Sequence, residues 1–263
     1  MKARIHGVEL AYSDRGTGTP VVFIHGFPLN RRMWEPQVEA LSDRFRIITV
    51  DLRGHGESEA PLWHYSIDQF ADDVNGLLDH LSVQQAVMVG LSMGGYVLFT
   101  FYRKYTGKVR AMVLTDTRAQ ADTEEVRAGR FNMAQAAYAK GTGPILEAML
   151  PKLLSPTSRE TRADLVERVT SMVTSMQLSG IVGDLIAMAE RADAVPVLKE
   201  ITCPTLVLVG ELDPATPPAE VRGIAEGIQG ARFEVIPGAA HLPNLEQPEV
   251  FNRALVSFLD ALG

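Results

Sequence analysis

Hydrophobic positions along the chain repeat with two different periods. Short, nearly continuous apolar runs predict strands: Val21-Val22-Phe23-Ile24, Ile47-Ile48-Thr49-Val50, Ala86-Val87-Met88-Val89, Met112-Val113-Leu114, Thr205 to Val209 and Phe233-Glu234-Val235-Ile236. Most lack the polar alternation of a half-solvated strand, as parallel strands covered on both faces do. Arg4 to Asp14 predicts a short hairpin, and Arg15-Gly16-Thr17-Gly18-Thr19-Pro20 a turn leading into the next strand. Between the strands the spacing becomes helical. Ser66 to Leu81 is the clearest case: Ser66 and Gln69 make a capping box, and Ile67, Phe70, Val74, Leu77, Leu78 and Leu81 make one stripe. A helical stretch also runs from Met93 to Tyr105, and a C-terminal helix starts at Pro248 with Val250, Phe251, Ala254, Leu255, Phe258 and Leu259 inward. Strands alternating with helices predict an α/β fold on a mostly parallel, doubly wound sheet.

The alternation breaks between about Thr117 and Glu200, where helical patterns follow one another without a convincing strand. The expected organisation is a core of residues 1–116 and 201–263 carrying a helical cap, 117–200, inserted after the sixth strand. Such a cap belongs above the carboxyl ends of the strands, where α/β folds bind ligands. Five of the ten methionines (Met133, Met149, Met172, Met176 and Met188) lie in it, suiting either an adaptable apolar lid or packing of the cap against itself.

Residues 90 to 94 read Gly90-Leu91-Ser92-Met93-Gly94, between the apolar run at Ala86 and a helical stretch. That context predicts a nucleophile elbow, a strand-to-helix turn so tight that side chains two positions either side of the serine would strike backbone. A serine hydroxyl attacks only when a base takes its proton, and the base needs a partner to fix its tautomer. The elbow predicts both downstream, acid before histidine. Asp213, in Val209-Gly210-Glu211-Leu212-Asp213-Pro214, and His241, in Pro237-Gly238-Ala239-Ala240-His241, each follow an apolar run. The expected roles are Ser92 nucleophile, His241 base and acid, and Asp213 orienting carboxylate. Glu211 and Asp116 are rival acids, although Asp116 also suits the start of the cap connection, capping a helix. Among the other histidines, His25 is expected to shape a loop and His55 lies between two glycines in a turn, while His6, His64 and His80 suit solvated or capping roles. Backbone donors for an oxyanion are expected at Met93, at a helix N-terminus, and at Phe27 in His25-Gly26-Phe27-Pro28, since Pro28 has no N–H. Leu29, Leu212 and Leu242, with Phe27 and Met93, are candidate substrate contacts, with ordinary core packing as the competing explanation.

The remaining chemistry narrows the classes. The 263 residues carry a formal net charge of -7 with no cluster of lysine and arginine, which argues against nucleic acid as a partner. A single cysteine, Cys203, excludes an intrachain disulfide and reads as a small hydrophobe beside Pro204. Met1 to Leu10 lacks the apolar stretch of a secretory signal and no segment is apolar enough to span a bilayer, so a soluble cytoplasmic protein is expected. No His-Glu-x-x-His or Cys-x-x-Cys spacing points to a metal, and the glycines at 16 and 18 precede a strand instead of opening a helix, unlike a dinucleotide fingerprint.

The His25 to Pro28 loop, the Asp51-Leu52-Arg53-Gly54-His55-Gly56-Glu57-Ser58 turn, the Gly90 to Gly94 elbow, Asp213 and His241 together resemble the α/β-hydrolase family over essentially the whole chain. Within it the chain looks most like small bacterial carboxylesterases and oxoadipate enol-lactonases, whose elbow also tends to read Gly-Leu-Ser-Met-Gly-Gly. The resemblance implies cofactor-free hydrolysis of a small-molecule ester through an acyl-serine, with the cap shaping substrate choice. It also bears on Asp116, because some members place the acid after that strand. Ser92 stands where dehalogenases and epoxide hydrolases carry aspartate, which argues against their alkyl-transfer chemistry. The leading expectation is a carboxylesterase for short-acyl esters, which could also form peracid as a side reaction. The alternatives are an enol-lactone hydrolase and a non-enzymatic ligand receptor on the same fold.

Overall fold

Eight strands form one sheet in the order β1-β2-β4-β3-β5-β6-β7-β8 in the computed structural model, which describes residues 1–62 and 64–263. They are β1 (Lys2–Ile5), β2 (Val8–Arg15), β3 (Pro20–Ile24), β4 (Arg46–Val50), β5 (Ala86–Leu91), β6 (Val109–Thr115), β7 (Thr205–Gly210) and β8 (Arg232–Ile236). β1 and β2 pair antiparallel, as do β2 and β4, and every other pairing is parallel. The hairpin joins Ile5 to Val8 through His6 and Gly7, whose φ values of 45° and 80° are the left-handed pair that a two-residue hairpin loop requires. β5 and β7 are buried at every residue, whereas edge strand β8 buries only Ile236, so a continuous apolar run identifies the central strands best.

Twelve α-helices accompany the sheet among the described residues. In the core are α1 (Glu35–Leu41), α2 (Ile67–His80) and α3 (Met93–Tyr105). Between β6 and β7 follow α4 (Glu124–Lys140), α5 (Gly143–Leu153), α6 (Pro156–Thr161), α7 (Ala163–Thr174), α8 (Leu178–Ala189) and α9 (Val195–Leu198). The chain closes with α10 (Pro218–Gly227), α11 (Pro243–Glu246) and α12 (Pro248–Asp260). The stripe of α2 is buried from Ile67 to Leu78, and Leu81 is the half-buried residue that ends the helix. The expected capping box forms only one of its two bonds. Ser66 Oγ accepts from Gln69 N–H at 3.1 Å, but Gln69 Oε1 has no hydrogen-bond partner among the described residues. No single helix among the described residues is long and apolar enough to cross a membrane.

The helical segment rests on loops that leave the carboxyl ends of the strands. Ser179 Oγ donates to Ala60 O at 3.1 Å, Arg168 pairs with Glu35 at 2.8 Å, and Ser155 N–H donates to Glu246 Oε1 at 2.9 Å. Met172, Met176 and Met188 are buried in the main hydrophobic cluster, and Met133 and Met149 pack against it, so internal packing accounts for all five. A fully buried pair also joins segment and core: His55, after β4, lies 2.8 Å from Asp184 on α8. Burial opposes the imidazolium, yet the Asp184 carboxylate outweighs it and holds His55 above the ordinary histidine range. Removing one partner of such a buried pair typically costs roughly 3–5 kcal/mol. Asp184→Ala is therefore expected to lower the unfolding free energy measured by urea titration by an amount on that order, and the urea midpoint with it; a midpoint equal to the parent's contradicts this role of the pair.

Candidate active site

Ser92 is the sole residue between Ala86 and Phe99 that is not buried. Its backbone sits at φ 55° and ψ −114°, a conformation that side chains with a Cβ rarely adopt and that persists only where the surroundings enforce it. The surroundings here are tight. A Cβ at Gly90 would come within 2.6 Å of the Gly94 backbone, and one at Gly94 would strike Ile24 O. Ser92 N–H donates to Thr115 O at 2.9 Å and Ser92 O accepts from Thr117 Oγ1 at 2.7 Å, which tie the turn to β6. Although Ser92 occupies the N-cap of α3, its side chain makes no capping bond, so the hydroxyl is not spent on the helix.

The loop after β3 packs directly on this turn, with a Cβ at Gly26 reaching 3.1 Å from Ser92 Cβ. His25 shapes the loop as expected: Nδ1–H donates to Gly26 O and Nε2 accepts from Leu52 N–H, each at 3.1 Å. Burial, with the neighbouring His55, holds His25 well below the usual histidine range and keeps the ring neutral. Outside helices and strands, neither Phe27 N–H nor Met93 N–H donates to a protein group among the described residues.

Two loops further along the same edge carry the remaining groups. His241 Nδ1–H donates to Asp213 Oδ2 at 2.8 Å, with both side chains buried. Asp213 Oδ1 accepts from Ala215 N–H at 2.8 Å and Thr216 N–H at 3.2 Å, and Oδ2 also accepts from Thr216 Oγ1. Burial pushes the Asp213 carboxyl up, but the His241 charge and these donors outweigh it and bring it down to about 2. Glu211 is not part of this pair: its Oε2 accepts from Gly238 N–H at 2.9 Å and braces the turn before His241. Ser92 Oγ and His241 do not hydrogen-bond to each other among the described residues, a bond that in such sites often tightens only with substrate. Leu29 and Leu242 are wholly buried in the core, while Leu212 is 48% exposed, so packing accounts for the first two.

The family profile described as the alpha/beta hydrolase fold matches residues 19–248. The chain belongs to this family. It is 40% identical to a thermophilic esterase from Thermogutta terrifontis, with a TM-score of 0.97 and coverage of 100% of this chain and 98% of that one. It is 31% identical to the enol-lactonase from Burkholderia xenovorans, with a TM-score of 0.93 over 99% and 100% of the two chains. A 3-oxoadipate enol-lactonase of Acinetobacter baylyi is 32% identical over 94% of this chain and 92% of its own.

Two further buried acids of this alpha/beta hydrolase lie at the same edge: Asp116, a rival acid in the sequence, and Glu246, which the sequence did not single out. Asp116 does not cap a helix; the next helix, α4, is capped by Thr123 Oγ1. Asp116 instead turns back on the sheet at φ 44°, its Oδ1 accepting from Gly210 N–H at 2.8 Å. Burial and the adjacent Asp213 charge raise its carboxyl well above the usual range. Glu246 Oε2 accepts from Ala240 N–H, next to His241, at 2.6 Å, while Oε1 takes Ser155 N–H from the helical segment. Asp116, Asp213 and His241 offer three donor atoms within 4.8 Å of one another, but Asp213 is already occupied by His241 and Thr216.

Because the folded Asp213 carboxyl lies below its unfolded value of 3.8, the stability it contributes is present above that value and lost as pH falls through about 2. The stability difference between the parent and Asp213→Asn is expected to shrink by about 2 kcal/mol on acidification across this window. Denaturant titrations at stepped pH measure it, and a constant difference contradicts the assignment of charge.

Proposed function

We propose that this chain is a serine carboxylic-ester hydrolase for small or short-acyl esters, working through an acyl-serine. The observation that carries the reading is the buried Asp213–His241 hydrogen bond at 2.8 Å on the same sheet edge as a strained, non-capping Ser92. In this reading Ser92 Oγ attacks the ester carbonyl as His241 Nε2 takes its proton. Asp213 holds Nδ1–H and so fixes the tautomer that leaves Nε2 free to accept. Phe27 N–H and Met93 N–H receive the oxyanion, where loss of one such donor typically costs about 3 kcal/mol. Collapse expels the alcohol with the proton from His241. The imidazole then activates water, and the acid leaves with Ser92 restored. Residues 117–200 act as the cap that selects the acyl group, and Leu212, the exposed member of the three leucines, is the proposed substrate contact among them.

A second reading, hydrolysis of a ring ester such as an enol-lactone, is favoured by the two enol-lactonases at 31% and 32% identity. It uses the same groups. Nitrophenyl esters of graded acyl length, assayed beside an enol-lactone, separate the two by kcat/KM, with the short acyl esters expected to lead. Ser92→Ala is expected to cut turnover by roughly 10^4-fold or more while leaving the unfolding transition in place. The parent's rate is expected to fall on acidification, since a protonated imidazole cannot accept the serine proton. Retention of most activity in Ser92→Ala, or a rate flat through the histidine range, overturns the reading. Labelling of Ser92 by an organophosphate without turnover of any ester points instead to a ligand receptor.

A further inference from the structure

We propose that Asp116 is a neutral carboxylic acid whose Oδ2–H donates to Asp213, so that the acid behind His241 is a proton-sharing pair in which Asp116 is a positioning residue. The inference rests on the reading of Ser92, His241 and Asp213 given above. Asp116 is fully buried, and its Oδ2 has no hydrogen-bond partner among the described residues. An oxygen of Asp116, an oxygen of Asp213 and a ring nitrogen of His241 all lie within 4.8 Å of one another. A bare carboxylate oxygen in that position would be desolvated, unpaired and next to a second negative charge. One proton removes all three costs.

The two acids are not equivalent, and their donors decide which one carries it. Asp213 accepts from four: Ala215 N–H, Thr216 N–H, Thr216 Oγ1 and His241 Nδ1. Asp116 accepts from Gly210 N–H alone. Asp213 is therefore the ionised member. The charged groups facing Asp116 are Asp213 from the β7 loop, His241 from the β8 loop and Glu246 on α11, and both acids disfavour a second anion. Asp116 is held where it can act because its backbone at φ 44° is tied by Asp116 N–H to Leu208 O at 3.0 Å and its Oδ1 to Gly210. By drawing on the Asp213 charge, the shared proton tempers how tightly Asp213 holds an imidazolium.

The test compares pH profiles of kcat/KM for a short nitrophenyl ester in the parent, Asp116→Asn and Asp116→Ala, together with infrared spectra of the parent and Asp116→Asn. Asparagine keeps both bonds, accepting from Gly210 and donating to Asp213, so its acid limb is expected to coincide with the parent's. Alanine leaves the full Asp213 charge facing His241, and its acid limb is expected to move to higher pH. At neutral pH the parent is expected to show the C=O stretch of a protonated carboxyl that Asp116→Asn lacks. An acid limb moved to lower pH in Asp116→Asn would mean a negative charge at 116 and overturns the proposal, as does absence of the band from the parent. Should Asp116→Ala fail to fold, the asparagine variant and the spectra decide alone. Should the parent hydrolyse no ester, the functional reading falls while the infrared band still decides where the proton lies.

Discussion

The hydrogen bond from His241 Nδ1 to Asp213 Oδ2 is the constraint around which this edge of the sheet is arranged. Its two residues leave neighbouring parallel strands, where Gly210 of β7 is in register with Ile236 of β8. The loops are then stitched together: Leu212 N–H donates to Ala239 O at 2.8 Å and Glu211 N–H to Ile236 O at 2.9 Å. Backbone bonds of this kind hold side chains more tightly than a flexible loop could, which is what a pre-organised acid–base pair needs. On the other side, Leu91 of β5 is in register with Thr115 of β6, so Ser92 and Asp116 leave the sheet at the same level.

Electrostatics at this edge are unusual for a chain so ordinary in composition. Asp116, Asp213 and Glu246 are all buried, and each is held differently: by a single backbone N–H, by four donors, and by two backbone N–H groups. Low-dielectric surroundings magnify both attraction and repulsion among them. Glu246 has a second consequence, since it binds the backbone beside His241 and the start of α6 at once. His55 and Asp184 make a second tie between helical segment and core, and the His55 ring lies 4.4 Å from His25 in the loop beside Ser92. Both ties run to loops flanking the proposed site.

Much of this arrangement was legible in the chain's own pattern. Continuous apolar runs marked β3 to β7, and the glycines around Ser92 marked the elbow, because steric crowding at a tight turn leaves a local signature. Asp213 and His241 were readable as strand-end residues in the order acid then histidine. Long-range partners were not. Asp116 could be read as a rival acid or as a helix cap, but not as the acceptor of Gly210 N–H, which lies 94 residues away in the chain. Glu246 carried no local signal, because its partner Ser155 lies 91 residues before it in the chain. His55 between two glycines gave no hint of Asp184, and Gln69 fitted a capping box whose second bond the folded helix does not make. The leucines illustrate the same limit: proximity in sequence to catalytic loops does not say whether a side chain faces a ligand or the core, as Leu29 and Leu242 demonstrate.

The proposed function requires that one hydroxyl, that of Ser92, become covalently acylated as the His241 imidazole takes its proton. Acid-quenching the protein during turnover of a short nitrophenyl ester, followed by peptide mass mapping, tests this directly. The account predicts an acyl group on the peptide containing Ser92, gone once substrate is exhausted, and absent when His241 is replaced by alanine. Acyl transfer to another residue, or ester turnover with Ser92 never modified, would contradict it.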